Sequence, residues 1–504
     1  ERPGASSANG NNAENPMRNY VLVYINGRRV EVAGPDVFGS LSDLLRREQG
    51  LVGTKIVCEE GDCGSCTVLI GRLDGKKLRY QSVDSCIQFM CQLDCCHIVT
   101  VEGLKMNGTL HPVQQAMVDY HGSQCGFCTP GFVMSMAVMF ETKDRLSDQD
   151  LRCGLTGNLC RCTGYVPIIE AGMMLDGARM SRLDGLYPPQ AMIDEFEAHG
   201  REPVCVEADC AAPGLGPDVR TYFKPVDVEG AVAFKKDHPD VKIIAGGTDV
   251  GVQINKRVID PKVIMSLCSL PGLCGLIYKD DTLVTGAMAS WTEIEEYIRD
   301  IVPQFHKILA VFASAQIKNV ATIGGNIANA SPIADSLPFL YVMNAEVELT
   351  GVKGTRRVNI NNFYKGYKVL AMKPDELITR VHIPLPQPDE TLRLYKVSKR
   401  RDLDISTFTA GILMRRDGDT IDWARIAYGG VGPNIIRTSK TERFLAGKTF
   451  TEETLREAGR IARTEITPIT DVRAGKDYRC QLAENILVKF YYDCCEPAEA
   501  LAAL

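Results

Sequence analysis

The residues with the clearest chemistry in this chain are cysteines. Cys58, Cys63 and Cys66 stand in the run Cys-Glu-Glu-Gly-Asp-Cys-Gly-Ser-Cys, and Cys86 follows in the same region. A Cys-x4-Cys-x2-Cys…Cys series is the spacing of plant-type 2Fe–2S centres, whose irons take four thiolates. Gly61 and Gly64 suit such a loop, because a residue without a side chain lets backbone amides approach sulfur closely. The alternative is structural zinc, but zinc sites usually arrive as two Cys-x2-Cys pairs. A second set joins Cys125-Gly-Phe-Cys128 to Cys160-Arg-Cys162. Its spacing admits another 2Fe–2S centre, a zinc site, a thioredoxin-like pair or plain core thiols. Two clusters in one chain would make an electron wire.

The other cysteines read more plainly. Cys91, Cys95, Cys96, Cys153, Cys268, Cys274, Cys480, Cys494 and Cys495 are expected to be free thiols, although Cys95 and Cys96 compete with Cys86 as fourth ligand. Cys205 and Cys210 are close enough in sequence to bond to each other.

Two glycine-rich stretches follow. Ile243, Ile244 and Ala245 read as a strand running into Gly246, Gly247, Thr248, Asp249 and Val250, a turn whose N–H groups could cradle a pyrophosphate. The second stretch holds Thr322, Ile323, Gly324, Gly325 and Asn326, with Asp335 shortly after. Together they could embrace one long cofactor. Neither is a Gly-x-Gly-x-x-Gly fingerprint, so a Rossmann domain is not expected. A flavin beside iron–sulfur centres makes chemical sense, because it converts one-electron traffic into hydride chemistry. No hydrolase elbow, Walker lysine or His-Glu-x-x-His motif occurs, and the seven histidines, among them His97, His111, His121 and His306, lack motif context. The chain looks built to move electrons.

The elements that must position these residues fall into four regions. Residues 19–97 begin with the alternating run Tyr-Val-Leu-Val-Tyr-Ile and an Asn26-Gly27 turn, a hairpin signature. Residues 98–175 show apolar residues at helical spacing. Residues 176–218 have linker composition, with Pro188-Pro189 and Ala-Pro-Gly-Leu-Gly-Pro. From 219 to 385 strands and helices alternate, and 386–504 start strand-rich and end helical. Residues 1–18 are polar and read as a disordered arm or tag. The 504 residues fit roughly three to four domains. A formal net charge of −6 recruits neither nucleic acid nor anionic lipid, and no apolar run reaches membrane-spanning length. Nineteen cysteines without an export signal point to a reducing, cytoplasmic setting and to metal.

Three composite motifs then carry a family resemblance: Glu60-Gly-Asp-Cys-Gly-Ser-Cys-Thr-Val, Gly122-Ser-Gln-Cys-Gly-Phe-Cys-Thr-Pro-Gly and Gly157-Asn-Leu-Cys-Arg-Cys-Thr-Gly-Tyr. They resemble the xanthine dehydrogenase family of molybdenum hydroxylases, and the likeness runs through both glycine stretches to Ile469–Arg479. The resemblance implies a β-grasp 2Fe–2S ferredoxin domain, a helical 2Fe–2S domain, an α/β FAD-binding domain and a small α/β C-terminal domain. It implies that Cys58, Cys63, Cys66 and Cys86 ligate the cluster near the flavin, and Cys125, Cys128, Cys160 and Cys162 the cluster near molybdenum. Gln124 matches a position that approaches the pterin of the partner. Residues 243–250 and 322–326 with Asp335 match FAD-binding segments, Phe312 a ring packed on the isoalloxazine, and Ile378 and Lys396 further flavin contacts. Asn329 departs from a threonine in some relatives, and the thiols at 91–96 and the 176–218 segment exceed the pattern. The length resembles the bacterial small subunit, which implies a separate molybdopterin-bearing large subunit, assembled as a dimer of heterodimers, and NAD+ as acceptor. The same architecture could serve an aldehyde or another N-heterocycle with a non-NAD acceptor.

Overall fold

The computed structural model describes residues 17–211, 216–268 and 270–495. The arm expected at 1–18 lies almost wholly outside them.

The first unit is a mixed five-stranded sheet in the order Arg28–Ala33, Tyr20–Ile25, Cys96–Val99, Thr67–Asp74, Lys77–Asp84. Its opening hairpin turns through Asn26 and Gly27 at φ of 49° and 78°, the left-handed pair that a tight two-residue hairpin requires. Tyr20–Ile25 then runs parallel to Cys96–Val99, with Val23, Tyr24 and Ile25 opposite Cys96, His97 and Ile98. This β-grasp arrangement leaves the loop between Glu48 and Thr67 free to wrap outward with three of the cysteines.

The second unit is helical: Pro112–Asp119, Thr129–Phe140, Asp148–Gly154 and Val166–Met173. Thr129–Phe140 is apolar nearly all round and is buried at Phe132, Val133, Met134 and Met136, as a central helix must be. Both cysteine pairs of this unit sit just before helices, at Cys125/Cys128 and Cys160/Cys162.

The segment 176–218 is more than a linker. It contains helices Leu183–Leu186 and Gln190–His199, and strand Val204–Asp209 pairs antiparallel with Val219–Lys224. Met192, Ile193 and Phe196 are buried at helical spacing, and the Tyr187 hydroxyl donates to the Gly103 carbonyl at 2.6 Å. Pro188 and Pro189 stand between the two helices. Cys205 and Cys210 are both free.

The flavin-type region holds two larger sheets and a short hairpin, Tyr364–Gly366 with Val369–Leu370. One runs Val204–Asp209, Val219–Lys224, Val263–Ser266, Lys242–Ile244, and its last two pairings are parallel. The other is antiparallel, in the order Leu276–Lys279, Thr282–Gly286, Leu377–Pro384, Glu346–Gly351, Gly354–Asn359. The largest core lies here, around Trp291, Phe305 and Phe339. The C-terminal region is a four-stranded antiparallel sheet from Glu390–Val397 to Ile436–Arg437, packed against Glu452–Thr464 and Lys476–Cys495. No described helix is long and apolar enough to cross a membrane.

Candidate functional site

The first cysteine set is gathered by a loop and a strand end. Cys58 Sγ contacts Cys63 and Cys86, and Cys86 also contacts Cys66. The Glu60 N–H points at Cys58 Sγ from 3.4 Å, the amide-to-sulfur contact such a loop should supply. Cys66 and Cys86 are buried with Ile87, while Cys58 and Cys63 are half-buried. Gly64 holds a φ of +66°, and a Cβ there would come within 2.2 Å of the Gly157 carbonyl oxygen. No other residue fits that position.

The second set comes together from two loops. Cys162 Sγ lies 3.7 Å from Cys125 and 3.9 Å from Cys160, which in turn contacts Cys128. Cys160 is anchored by its N–H, which donates to the Tyr165 hydroxyl at 3.0 Å. Cys125 and Cys162 are exposed, and so are the neighbouring Phe127, Leu159 and Val166. Gln124 is exposed on the same face.

Among the described residues no three His, Cys, Asp or Glu side chains converge as a single-ion site. Each set is instead a string of pairwise sulfur contacts. Two pairs of thiolates side by side are what a two-iron cluster needs, whereas one zinc needs four around a point. The donor chemistry and the amide contact fit iron–sulfur clusters. Cys95 and Cys96 are engaged elsewhere, Cys96 beside the Arg72 guanidinium at 3.2 Å, and take no part in either string.

The two sets are joined directly, for the Leu159 N–H donates to the Cys63 carbonyl at 3.0 Å, one residue before Cys160. A buried polar knot reinforces this joint. Asn158 Nδ2 donates to the Gly64 carbonyl at 3.0 Å, and Gln316, from the flavin-type region, donates to Asn158 Oδ1 at 3.0 Å.

Beyond the first set lies a cavity of about 760 Å³, within the range typical of cofactor sites. Its wall includes Ile243, Ala245, Gly246, Gly247, Thr248, Asp249 and Val250 from one glycine stretch, and Thr322, Gly324, Gly325 and Asn326 from the other. Phe312, Asp335, Ile378 and Lys396 complete the expected group. Ile244 and Ile323 face away, into two hydrophobic cores, because strand and helix alternation turns their side chains inward. Gly246 packs so tightly that a Cβ would sit 1.9 Å from the Val320 carbonyl oxygen. Phe312 stands edge-on to Trp291, with ring centroids 5.5 Å apart, and so is braced at the cavity wall. The Lys396 ammonium meets Asp335 at 2.5 Å, both nearly buried, and Ser406 donates to the other Asp335 oxygen. Such a pair fixes one charge of each sign against the cavity. The size, the two glycine turns, the ring and the buried cation fit a flavin nucleotide.

Ile317 links the two places. It lines the cavity and packs against the buried cluster of Cys66, Cys86 and Ile87. Asn255 adds a second tie, donating to the Cys86 carbonyl at 2.9 Å. Sequence motifs pointed to neither residue, nor to Gln316, Asn158 and Ser406. Their signal lies in three-dimensional contact, although Asn158 sits beside Gly157 in a quoted motif.

Family models match in the same order as the units. A 2Fe–2S iron-sulfur cluster binding domain covers 23–100, and a second 2Fe–2S binding domain covers 100–173. A FAD binding domain in molybdopterin dehydrogenase covers 217–386, and a CO dehydrogenase flavoprotein C-terminal domain covers 393–494. Xanthine dehydrogenase 1 of Arabidopsis thaliana is 29% identical over 93% of this chain and 39% of its own length. Aldehyde oxidase 2 of Cavia porcellus is 30% identical over 96% of this chain and 40% of its own length. The chain thus spans about two-fifths of these relatives. In solved structures, carbon monoxide dehydrogenase from Hydrogenophaga pseudoflava, in a form lacking the Mo-pyranopterin moiety, aligns at a TM-score of 0.51 and 26% identity, covering 53% of this chain and 94% of that one. Quinoline 2-oxidoreductase from Pseudomonas putida 86 aligns at 0.50 and 26%, covering 54% and 94%. With two 2Fe–2S domains and a FAD domain in this order, the chain belongs to the xanthine dehydrogenase family of molybdenum hydroxylases, whose electron-transfer region it carries.

Proposed function

We propose that this chain is the electron-transfer part of a xanthine dehydrogenase. It takes electrons from a molybdopterin-bearing partner subunit that oxidises hypoxanthine or xanthine, and it delivers them to NAD+. Cys125, Cys128, Cys160 and Cys162 hold the cluster nearer the partner, and Cys58, Cys63, Cys66 and Cys86 hold the other. The cavity between 243–250 and 322–326 takes FAD. When bound, the clusters carry single electrons and the flavin exchanges them singly or as hydride.

The observation that carries this reading is an unbroken series of contacts. Leu159 joins the Cys160 loop to Cys63, and Ile317 joins Cys66 and Cys86 to the flavin-type cavity. The protein residues have plain jobs in it. Leu159 and Asn158 hold the two cysteine loops at hydrogen-bond distance. Ile317 and Val252 exclude water between the first set and the cavity. Lys396, steadied by Asp335, presents a positive charge that favours electron density on a bound ring. The exposed apolar residues around Cys125 and Cys162 suit burial against the partner, in a dimer of heterodimers.

An anaerobic titration with NADH, followed in the flavin and iron–sulfur absorbance bands, tests the acceptor. Bleaching of the flavin with the clusters following is the expected result. Bleaching by dithionite alone would replace NAD+ with another acceptor. The second reading, an aldehyde or N-heterocycle hydroxylase with a ferredoxin or quinone acceptor, draws support from the aldehyde oxidase and quinoline 2-oxidoreductase matches. A substrate screen on the co-purified complex separates the two.

A further inference from the structure

Gln316 is fully buried, yet it belongs to the short helix Ala315–Lys318 of the flavin-type region rather than to either cysteine-bearing unit. Its Nε2 donates to Asn158 Oδ1 at 3.0 Å, Ser135 Oγ at 3.3 Å and Thr67 Oγ1 at 3.3 Å. Thr67 follows Cys66 directly, and Asn158 stands two residues before Cys160. Ser135 lies on the helix that starts beside Cys128, and its hydroxyl donates to Asn158 Oδ1 at 2.7 Å. One amide group therefore touches the supports of both cysteine strings. The loop of Gly157 closes over it so tightly that a Cβ there would sit 2.2 Å from Gln316 Oε1. That oxygen has no hydrogen-bond partner among the described residues, an arrangement with an energetic cost that close packing must offset. The next residue, Ile317, packs on Cys66 and Cys86 and lines the flavin-type cavity.

We infer that Gln316 is a positioning residue for electron transfer: its amide locks the two cysteine loops in register with each other and with the flavin wall. The inference rests on the proposed electron-transfer reading. Its physical basis is that three acceptors from three different segments share one donor group inside a fully buried joint. Hydrogen bonds there are strong individually and leave costly unpaired acceptors when broken. Loss of one buried hydrogen bond, worth about 1 kcal/mol, changes the ratio of registered to displaced arrangements about fivefold. Electron exchange between the strings should fall by up to about the same factor, without loss of either cluster.

The test uses the full chain with its iron and flavin and the variants Gln316→Met and Ser135→Ala. Methionine keeps the length and removes the donor. Iron and flavin are counted first: a native chain that never holds four irons overturns the electron-transfer reading itself, independently of Gln316. With four irons present, two readouts follow. One is the magnetic splitting between the two reduced clusters, which reports their relative placement. The other is the rate of electron redistribution after a rapid reducing pulse. Gln316→Met is expected to retain iron and flavin, alter the splitting and slow redistribution by up to about fivefold, with Ser135→Ala giving a smaller change and the double variant less than the sum of the two, because the Gln316–Ser135 contact is shared while the Ser135–Asn158 bond is not. Native splitting and rate in Gln316→Met would overturn the inference. Should Gln316→Met fail to assemble its clusters, Ser135→Ala decides by the same two readouts. Change supports the inference, and native behaviour overturns it.

Discussion

A buried ion pair holds only while both partners remain, and that makes Lys396 an informative residue. Its ammonium and the Asp335 carboxylate are 6% and 7% exposed, so removing one leaves the other charge in an apolar wall. Lys396→Met is expected to destabilise the flavin-type region by about 3–5 kcal/mol and to weaken FAD binding, read by thermal unfolding with and without added FAD. Gly246→Ala acts differently. Its Cβ would collide with the Val320 backbone 1.9 Å away, so the turn must shift and flavin retention should drop with little change in iron content. At this scale the sequence was most legible. Cysteine spacing and glycine-rich turns are local signals, and each brings together residues that a short loop can bring together. Ile244 and Ile323 were less so, because a strand or helix inside a motif sends alternate side chains into the core. Gln316 and Ile317 carry no spacing signal, because their partners come from distant segments.

Among the elements, strand Cys96–Val99 is the keystone of the first sheet, and His97 is its pH-sensitive residue. The ring is fully buried between Tyr80 and Tyr187, and its Nε2 accepts from the Gly27 N–H at 3.1 Å. Burial pushes the imidazole down to about 4. In the unfolded chain it titrates near 6.5, so the unfolded state binds the proton first as pH falls. The His97 contribution to stability is therefore full above about 6.5 and declines between there and about 4, by up to about 3 kcal/mol. Denaturant unfolding of the native chain and His97→Gln across that range checks it, the difference between the two profiles carrying the His97 contribution. The hairpin and the helical unit were readable from Asn-Gly and from apolar periodicity. The 176–218 segment was not, because Pro188-Pro189 and the Pro/Gly run near its end read as a linker while a helical stripe at Met192, Ile193 and Phe196 does the packing.

Across the whole molecule, the units are tied by buried polar contacts that no local pattern reveals. Asp94, in the turn before strand Cys96–Val99, meets Arg18 at 2.7 Å and Lys224 of the flavin-type region at 2.5 Å, all nearly buried. Burial alone would raise the Asp94 carboxyl, but the two cations outweigh it and hold it below the usual range. Its stabilising contribution is therefore present above the ordinary carboxylate range and is lost as pH falls through that lowered value. Asp94→Ala leaves Lys224 without its carboxylate and Arg18 with only Glu202 at 3.4 Å, and is expected to cost about 3–5 kcal/mol, seen as a lower unfolding midpoint of the full chain. The central claim is likewise a whole-molecule one, that eight cysteines hold two separate clusters in series with a flavin. Electron paramagnetic resonance of the dithionite-reduced chain, with spins counted, tests it in the native protein, Cys63→Ser and Cys160→Ser. The account predicts two distinct 2Fe–2S signals in the native chain, with one lost in Cys63→Ser and the other in Cys160→Ser. A single signal in the native chain, or both signals surviving in either variant, would contradict it.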